Sequence, residues 1–125
     1  MVAGIAGFKA GREPANASAR LLRDWIERGN FVWLVTEVIL DEYKNVLARK
    51  GVRRPLIGKI INLLREEAEP VRVRRTTAWS PDPDDDAFCA CAEAGDADFI
   101  VTLNQKDFPQ DRLAARVLLP GDPLP

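Results

Sequence analysis

Two short, unbroken apolar runs, Phe31–Val35 and Phe99–Thr102, constrain the fold more than any other feature of the chain. Neither alternates polar with apolar residues, so each reads as a strand covered on both faces. Strands of that kind belong to parallel sheets, whose neighbours must be joined by long crossovers, usually helices. The rest of the sequence supplies those helices. Leu21, Leu22, Trp25 and Ile26 recur at helical spacing, and Gly29 stops the run. A loop over 9–16 precedes them, with Asn16 or Ser18 available as a cap. Thr36 caps a helix over 37–49, and Gly51 and Pro55 separate it from a third helix. The apolar stripe of that third helix is Leu56, Ile57, Ile60, Ile61, Leu63 and Leu64. After a turn over 80–83, Asp84–Ala94 reads as a fourth helix with Gly95 as its C-terminal stop. Val71 and Val73 alternate with Arg72 and Arg74 as in a short edge strand, and Val117–Leu119 suits a last strand. This order implies an α/β fold with a mostly parallel sheet flanked by helices, and one domain over 1–125. In such sheets ligands bind beyond the carboxyl ends of the strands, which is where Thr36, Thr102 and the loop after Thr102 fall.

Composition narrows the chemistry. The 125 residues include no histidine. That removes Ser-His and Cys-His nucleophilic catalysis, imidazole acid–base work and histidine-bound zinc. If the chain cuts anything, carboxylates must carry the work, through a hard metal ion with oxygen ligands. The two cysteines, Cys89 and Cys91, lie two apart on a helix and point to different faces, so they read as small buried apolar residues rather than a disulfide. The 18 basic and 19 acidic residues nearly cancel, so any RNA contact must come from a local basic patch. No apolar run approaches the roughly 20 residues of a membrane helix, and the apolar N-terminus lacks a basic leader region, so a cytoplasmic protein is expected.

Three segments hold the candidate residues. On the 37–49 helix, Glu42 falls between Val38 and Val46 within the apolar arc, whereas Asp41 falls on the polar side with Glu37, Lys44 and Asn45. A carboxylate on a buried face must be paired or must ligate something, so Glu42 is the candidate ligand; the bland alternative is a pair with a surface cation at the edge of the stripe. Asp82, Asp84, Asp85 and Asp86 gather at the head of the fourth helix. The helix dipole favours one or two acids there, while four repel one another unless a cation lies between them. Asp86, nearest the helix body, has the best-fixed direction. Beyond the second buried run, Thr102 and Asn104 offer neutral oxygens and Asp107 a charged one, although turn chemistry alone accounts for such residues.

Taken together, these segments resemble a PIN domain. The run Asp84-Asp85-Asp86-Ala87-Phe88 to Ala92, then Gly95 and Ala97-Asp98-Phe99-Ile100-Val101-Thr102, is similar to the C-terminal half of that family. Asn104-Gln105-Lys106-Asp107-Phe108-Pro109 looks like the branch whose loop reads T-x-N-x-x-D-F-P, and Thr36–Tyr43 like the second acidic element. The family includes VapC-type toxin ribonucleases. The resemblance implies a three-layer PIN-like fold and metal-dependent endoribonuclease activity. It implies Mg²⁺ or Mn²⁺ as cofactor, RNA as substrate, an antitoxin protein as partner, and a homodimer. Residue by residue, it makes Glu42, Asp86 and Asp107 the metal carboxylates, with Thr102 and Asn104 beside them orienting water or phosphate. Candidates for phosphate contacts are Arg49, Lys50, Arg53 and Arg54, or Arg72, Arg74 and Arg75; the alternative is that they are solubilising charges partnered by Glu66, Glu67 and Glu69. Trp79 is a candidate stacking residue.

One departure stands out. The family opens with a central strand ending in Asp-Thr-Asn, whose aspartate is a principal ligand. Here Met1-Val2-Ala3 matches the apolar residues that follow that motif. The reading is therefore that the first central strand and first aspartate are missing: the start is misplaced, or the chain is a poorly folding remnant, or a partner supplies the strand. Two unpaired strand edges in the core would be costly, and without the aspartate weak metal binding and little cleavage are expected. The alternative is a non-catalytic PIN-like module that binds RNA or protein.

Overall fold

The computed structural model describes residues 2–6, 23–29, 31–73, 80, 83–102, 105–119 and 122–123. Strand β1 (Val2–Ala6) is followed by helix α1 (23–28), strand β2 (Phe31–Val35), and helices α2 (Glu37–Arg49) and α3 (Arg54–Glu67). Strand β3 (Glu69–Pro70), helix α4 (Pro83–Ala94), strand β4 (Phe99–Val101), a 3-10 turn (Gln105–Asp107) and strand β5 (Arg116–Leu118) complete the order. The segment 9–22 and residues Arg74, Arg75, Trp79, Asp82 and Asn104, for which the sequence raises expectations, lie outside the described residues.

The strands form one sheet in the order β3-β2-β1-β4-β5, with every pairing parallel. This confirms the α/β class and corrects one part of it: the central strand is present. Val2–Ala6 pairs with β2 (Gly4 opposite Trp33) and with β4 (Gly4 opposite Phe99, Ala6 opposite Val101). The physical reason is the one that made its loss look costly. The slot between β2 and β4 offers two ladders of backbone groups, and a short apolar segment satisfies both. The edge strand is corrected as well. It is Glu69–Pro70, two residues before the alternating valines, with Val71 N–H donating to Val35 O at 2.8 Å. A proline fits there because an outer edge needs no donor on its free side.

Local chemistry explains the helix ends. The Thr36 hydroxyl accepts from Ile39 N–H at 3.1 Å and starts α2. Gly51, at φ +81°, ends it: Gly51 N–H reaches Ala48 O and Val52 N–H reaches Leu47 O, both at 3.0 Å. Helix α4 closes on the same pair of bonds, Asp96 N–H to Glu93 O and Ala97 N–H to Ala92 O. There, however, the left-handed residue is Asp96 (φ 51°) and not the expected glycine. Gly95 serves a different end: a Cβ on it would lie 2.9 Å from Leu34 Cδ1 and from Val71 Cγ2.

Aromatic rings link the helices to the sheet in the core. Trp25 meets Trp33 edge-on at 5.1 Å, Phe31 meets Phe99 at 5.8 Å, and Tyr43 meets Phe88 at 5.8 Å. Trp25 and Trp33 are core residues as expected, and so are Cys89 and Cys91, both free thiols. Among the described residues no helix is long and apolar enough to cross a membrane.

Candidate functional site

The strand order reverses at β1. The chain crosses from β1 to β2 on one side and returns to β4 on the other. A crevice opens beyond the carboxyl ends at such a reversal, because the connections leave in opposite directions. Two predicted residues stand at its rims. Thr36 follows β2, half-buried, with its hydroxyl committed to the α2 cap. Thr102 follows β4, 5% exposed, with its N–H donating to Leu118 O at 2.8 Å. The next loop is pinned: Phe108 is buried, and its N–H donates to Gln105 O at 3.1 Å. This leaves Asp107 half-buried in the 3-10 turn.

The acids on α2 separate largely as predicted. Asp41 is exposed and lies 3.6 Å from Lys44. Glu42 is half-buried. Its setting needs a correction, since Val38 is 63% exposed while Ile39, Leu40, Tyr43 and Val46 are buried. The buried arc is thus turned away from Val38, and Glu42 sits on its margin rather than within it.

On α4 the structure separates two neighbours. Asp86 is half-buried, and its Oδ1 accepts from Ser80 N–H at 3.0 Å, tying the preceding turn to the helix head. Asp85 is only 5% exposed, the most buried acid among the described residues. The sequence reading passed over it. The signal was available: Asp85, Phe88, Cys89 and Ala92 share the spacing of one helical face, and all four are buried. The charges of Asp86 and Asp85 are both felt at the Cys89 thiol, which is pushed up to about 12, mainly by burial. Burial pushes Cys91 up to about 12 as well. Neither thiol is a nucleophile at neutral pH.

Helices α2 and α4 pack together through Tyr43 and Phe88. Glu42 adjoins Tyr43, and Asp85 lies one helical turn before Phe88. The acids from distant parts of the chain are therefore carried by two helices in contact. None of Glu42, Asp85, Asp86 and Asp107 lacks a polar or electrostatic partner. As a donor set for a divalent ion they are chemically apt, being hard anionic oxygens. Yet no group of three or more acids, cysteines or histidines among the described residues is arranged to hold one ion. The described residues alone do not complete a metal centre.

Arg49, Lys50, Arg53 and Arg54 are all exposed around the Gly51 turn between α2 and α3. Arg72 is exposed beside β3.

Comparison with known proteins bears on this arrangement. No curated protein sequence matches the chain. Among solved structures it is similar to the crystal structure of VapBC2 from Rickettsia felis bound to a DNA fragment from their promoter. The TM-score is 0.56 at 11% identity, over 94% of this chain and 98% of that one, a likeness of fold. PIN domains generally depend on divalent metal. The PIN domain family model matches residues 5–106, most of the chain and every described candidate acid except Asp107, and the chain belongs to the PIN domain family.

Proposed function

We propose that this chain is a cytoplasmic, single-domain, metal-dependent endoribonuclease of PIN type, acting as the toxin of a toxin–antitoxin pair. The observation that carries the catalytic reading is the burial of Asp85 on a helix packed against the one bearing Glu42. A carboxylate in that setting must be paired, hydrogen-bonded or ligating. Glu42 and Asp85 would hold Mg²⁺ or Mn²⁺. Asp86, on the same helix as Asp85, and Asp107, in the 3-10 turn after β4, are the remaining candidate acids, and Thr102 and Asn104 orient water or phosphate. A divalent ion bound there supplies an acidified water and neutralises phosphoryl charge. The basic corner of Arg49, Lys50, Arg53 and Arg54 holds the RNA backbone. An antitoxin partner is supported by the likeness in fold to a VapBC2 complex. The homodimer reading rests on the family resemblance of the sequence.

The test is calorimetry with Mn²⁺ and Mg²⁺, paired with cleavage of a single-stranded RNA. Metal binding and cleavage are expected in the wild type and lost in Glu42→Gln and Asp85→Asn. One observation favours the second reading, a non-catalytic module: β1 contains no acid, and the first acidic residue in the chain is Glu13. RNA or antitoxin binding with no metal uptake in any variant would establish that module and end the nuclease reading.

A further inference from the structure

Helix α3 carries its charges against its own dipole. Arg53 caps its N-terminus with no side-chain cap bond, Arg54 is its first residue, and the first turn contains no acid. Glu66 and Glu67 end it, with Arg65 as the single cation of the last turn and already bound to Glu37. Cations at a helix N-terminus and anions at its C-terminus are both unfavourable within one molecule.

The apolar side of α3 is also only partly used. Ile61 and Leu64 are buried, Ile57, Ile60 and Leu63 are half-buried, and Leu56 is 51% exposed. Arg53, Leu56, Ile60, Leu63 and Glu67 follow one another at alternating spacings of three and four, which places them on one face beside the core-facing stripe. That face has a cation at one end, three aliphatic side chains in the middle and an anion at the other. Turned by half a rotation about Ile60, it is complementary to itself. Neither Arg53 nor Glu67 has an ion pair among the described residues. Beside Leu63 and Glu67 lies an open pocket of about 400 Å³ walled by Trp25, Ile26 and Val32.

We infer that two copies of the chain associate through antiparallel α3 helices, with the two-fold axis near Ile60. Arg53 of each copy pairs with Glu67 of the other, and Leu56 of each enters the other's pocket beside Leu63. This rests on the homodimer reading above and adds the surface. Such a contact is isologous and closes at two copies. Arg53 then stands where this interface meets the basic corner of Arg49, Lys50 and Arg54.

The charges make a clean experiment. Arg53→Glu and Glu67→Arg each bring α3 into agreement with its dipole, so both variants should fold with the wild-type far-UV circular dichroism, and only the stabilisation that comes from association should be lost. In analytical ultracentrifugation of the full chain, the wild type should sediment as a dimer. Each variant alone should associate at least tenfold more weakly, because like charges then face each other at both ends. An equimolar mixture of the two variants should restore the dimer, since every contact is again between opposite charges. A monomeric wild type overturns this proposal together with the homodimer reading. A dimer that survives both reversals, or a mixture that fails to reassociate, overturns the α3 surface and leaves the homodimer reading standing.

Discussion

The Trp33 indole N–H donates to the Tyr43 hydroxyl at 3.3 Å, between two side chains with no exposed surface. The bond links β2 to α2 in the interior, and the Tyr43 ring goes on to meet Phe88 on α4. Tyr43→Phe keeps the ring contacts and withdraws the acceptor. A buried donor that loses its partner costs about 1–3 kcal/mol. Urea unfolding followed by tryptophan fluorescence should show a loss of that size with an unchanged m-value.

Tyr43 is the only tyrosine, so its ionisation can be followed without interference. Burial raises its pKa well above the usual range, with the Trp33 bond opposing in part, and burial lifts both thiols to about 12. All three groups are raised above their unfolded values. The stability they contribute is therefore complete below the unfolded thiol range and is lost as pH climbs toward and past the folded values. Stability should begin to fall above about pH 8.5, where the unfolded chain releases thiol protons that the native chain retains. Native protein at neutral pH should resist thiol reagents at both cysteines, with rapid labelling in urea. Phenolate absorbance should rise only with unfolding. Fast labelling of either cysteine in the native state would contradict the packing of α4.

How far the sequence reveals this depends on what each residue must do. Phe31–Val35 and Phe99–Val101 are legible as strands because burial on both faces demands an unbroken apolar run. Val2–Ala6 is not, because glycine and alanine have little preference for strands and its place is set by the two edges it fills. Glu42 was separable from Asp41 by winding the helix, but the margin of the arc was not. Whether Val38 is covered depends on where neighbouring elements lie, and they leave it exposed. Asp85 could have been found, since its spacing to Phe88, Cys89 and Ala92 is written in the sequence. Asp86 is legible by its nearness to the helix body, and its Oδ1 accepts from Ser80 N–H.

The end of α4 predicts opposite signs for adjacent positions. Gly95→Ala adds a methyl group within 2.9 Å of Leu34 Cδ1 and Val71 Cγ2, and Leu34 is fully enclosed. Overpacking of that kind costs about 1–3 kcal/mol, more than the gain of about 0.4–1 kcal/mol from a less flexible unfolded chain. The variant should melt lower. Asp96→Gly removes a side chain from a left-handed position and should raise stability by about 0.5–1 kcal/mol. Differential scanning calorimetry of the two variants decides the matter. If Gly95→Ala proves neutral, Leu34 has more room than the packing allows.

The outer edge of β5 is closed by a side chain. Gln110 donates to Ala115 O and accepts from Val117 N–H, both at 2.7 Å, and Gln105 donates to Val117 O at 3.1 Å. These amides occupy the groups another strand would seek. Gln110→Ala should expose them and promote edge-to-edge association, visible by light scattering as concentration-dependent growth. Unchanged scattering at high concentration would show that the glutamine does not protect the edge.

Asp85 and Asp86 should differ when each loses its charge. Asparagine at position 86 still offers an oxygen to Ser80 N–H, so Asp86→Asn should leave both the fold and ion affinity close to wild type. Asp85 is buried, and its charge is tolerated only through what it pairs with or binds. Without metal, Asp85→Asn weakens what the buried carboxylate already pairs with, so it should melt no higher than the wild type. The telling quantity is the shift each protein shows when Mn²⁺ is added. A ligand bound only by the native state raises stability by about 2.7 kcal/mol at a hundredfold excess over Kd. The wild type and Asp86→Asn should gain that increment, while Asp85→Asn and Glu42→Gln should not. Melting curves across a Mn²⁺ titration test this directly. An equal rise in all four proteins would place the ion elsewhere and remove Asp85 from the site.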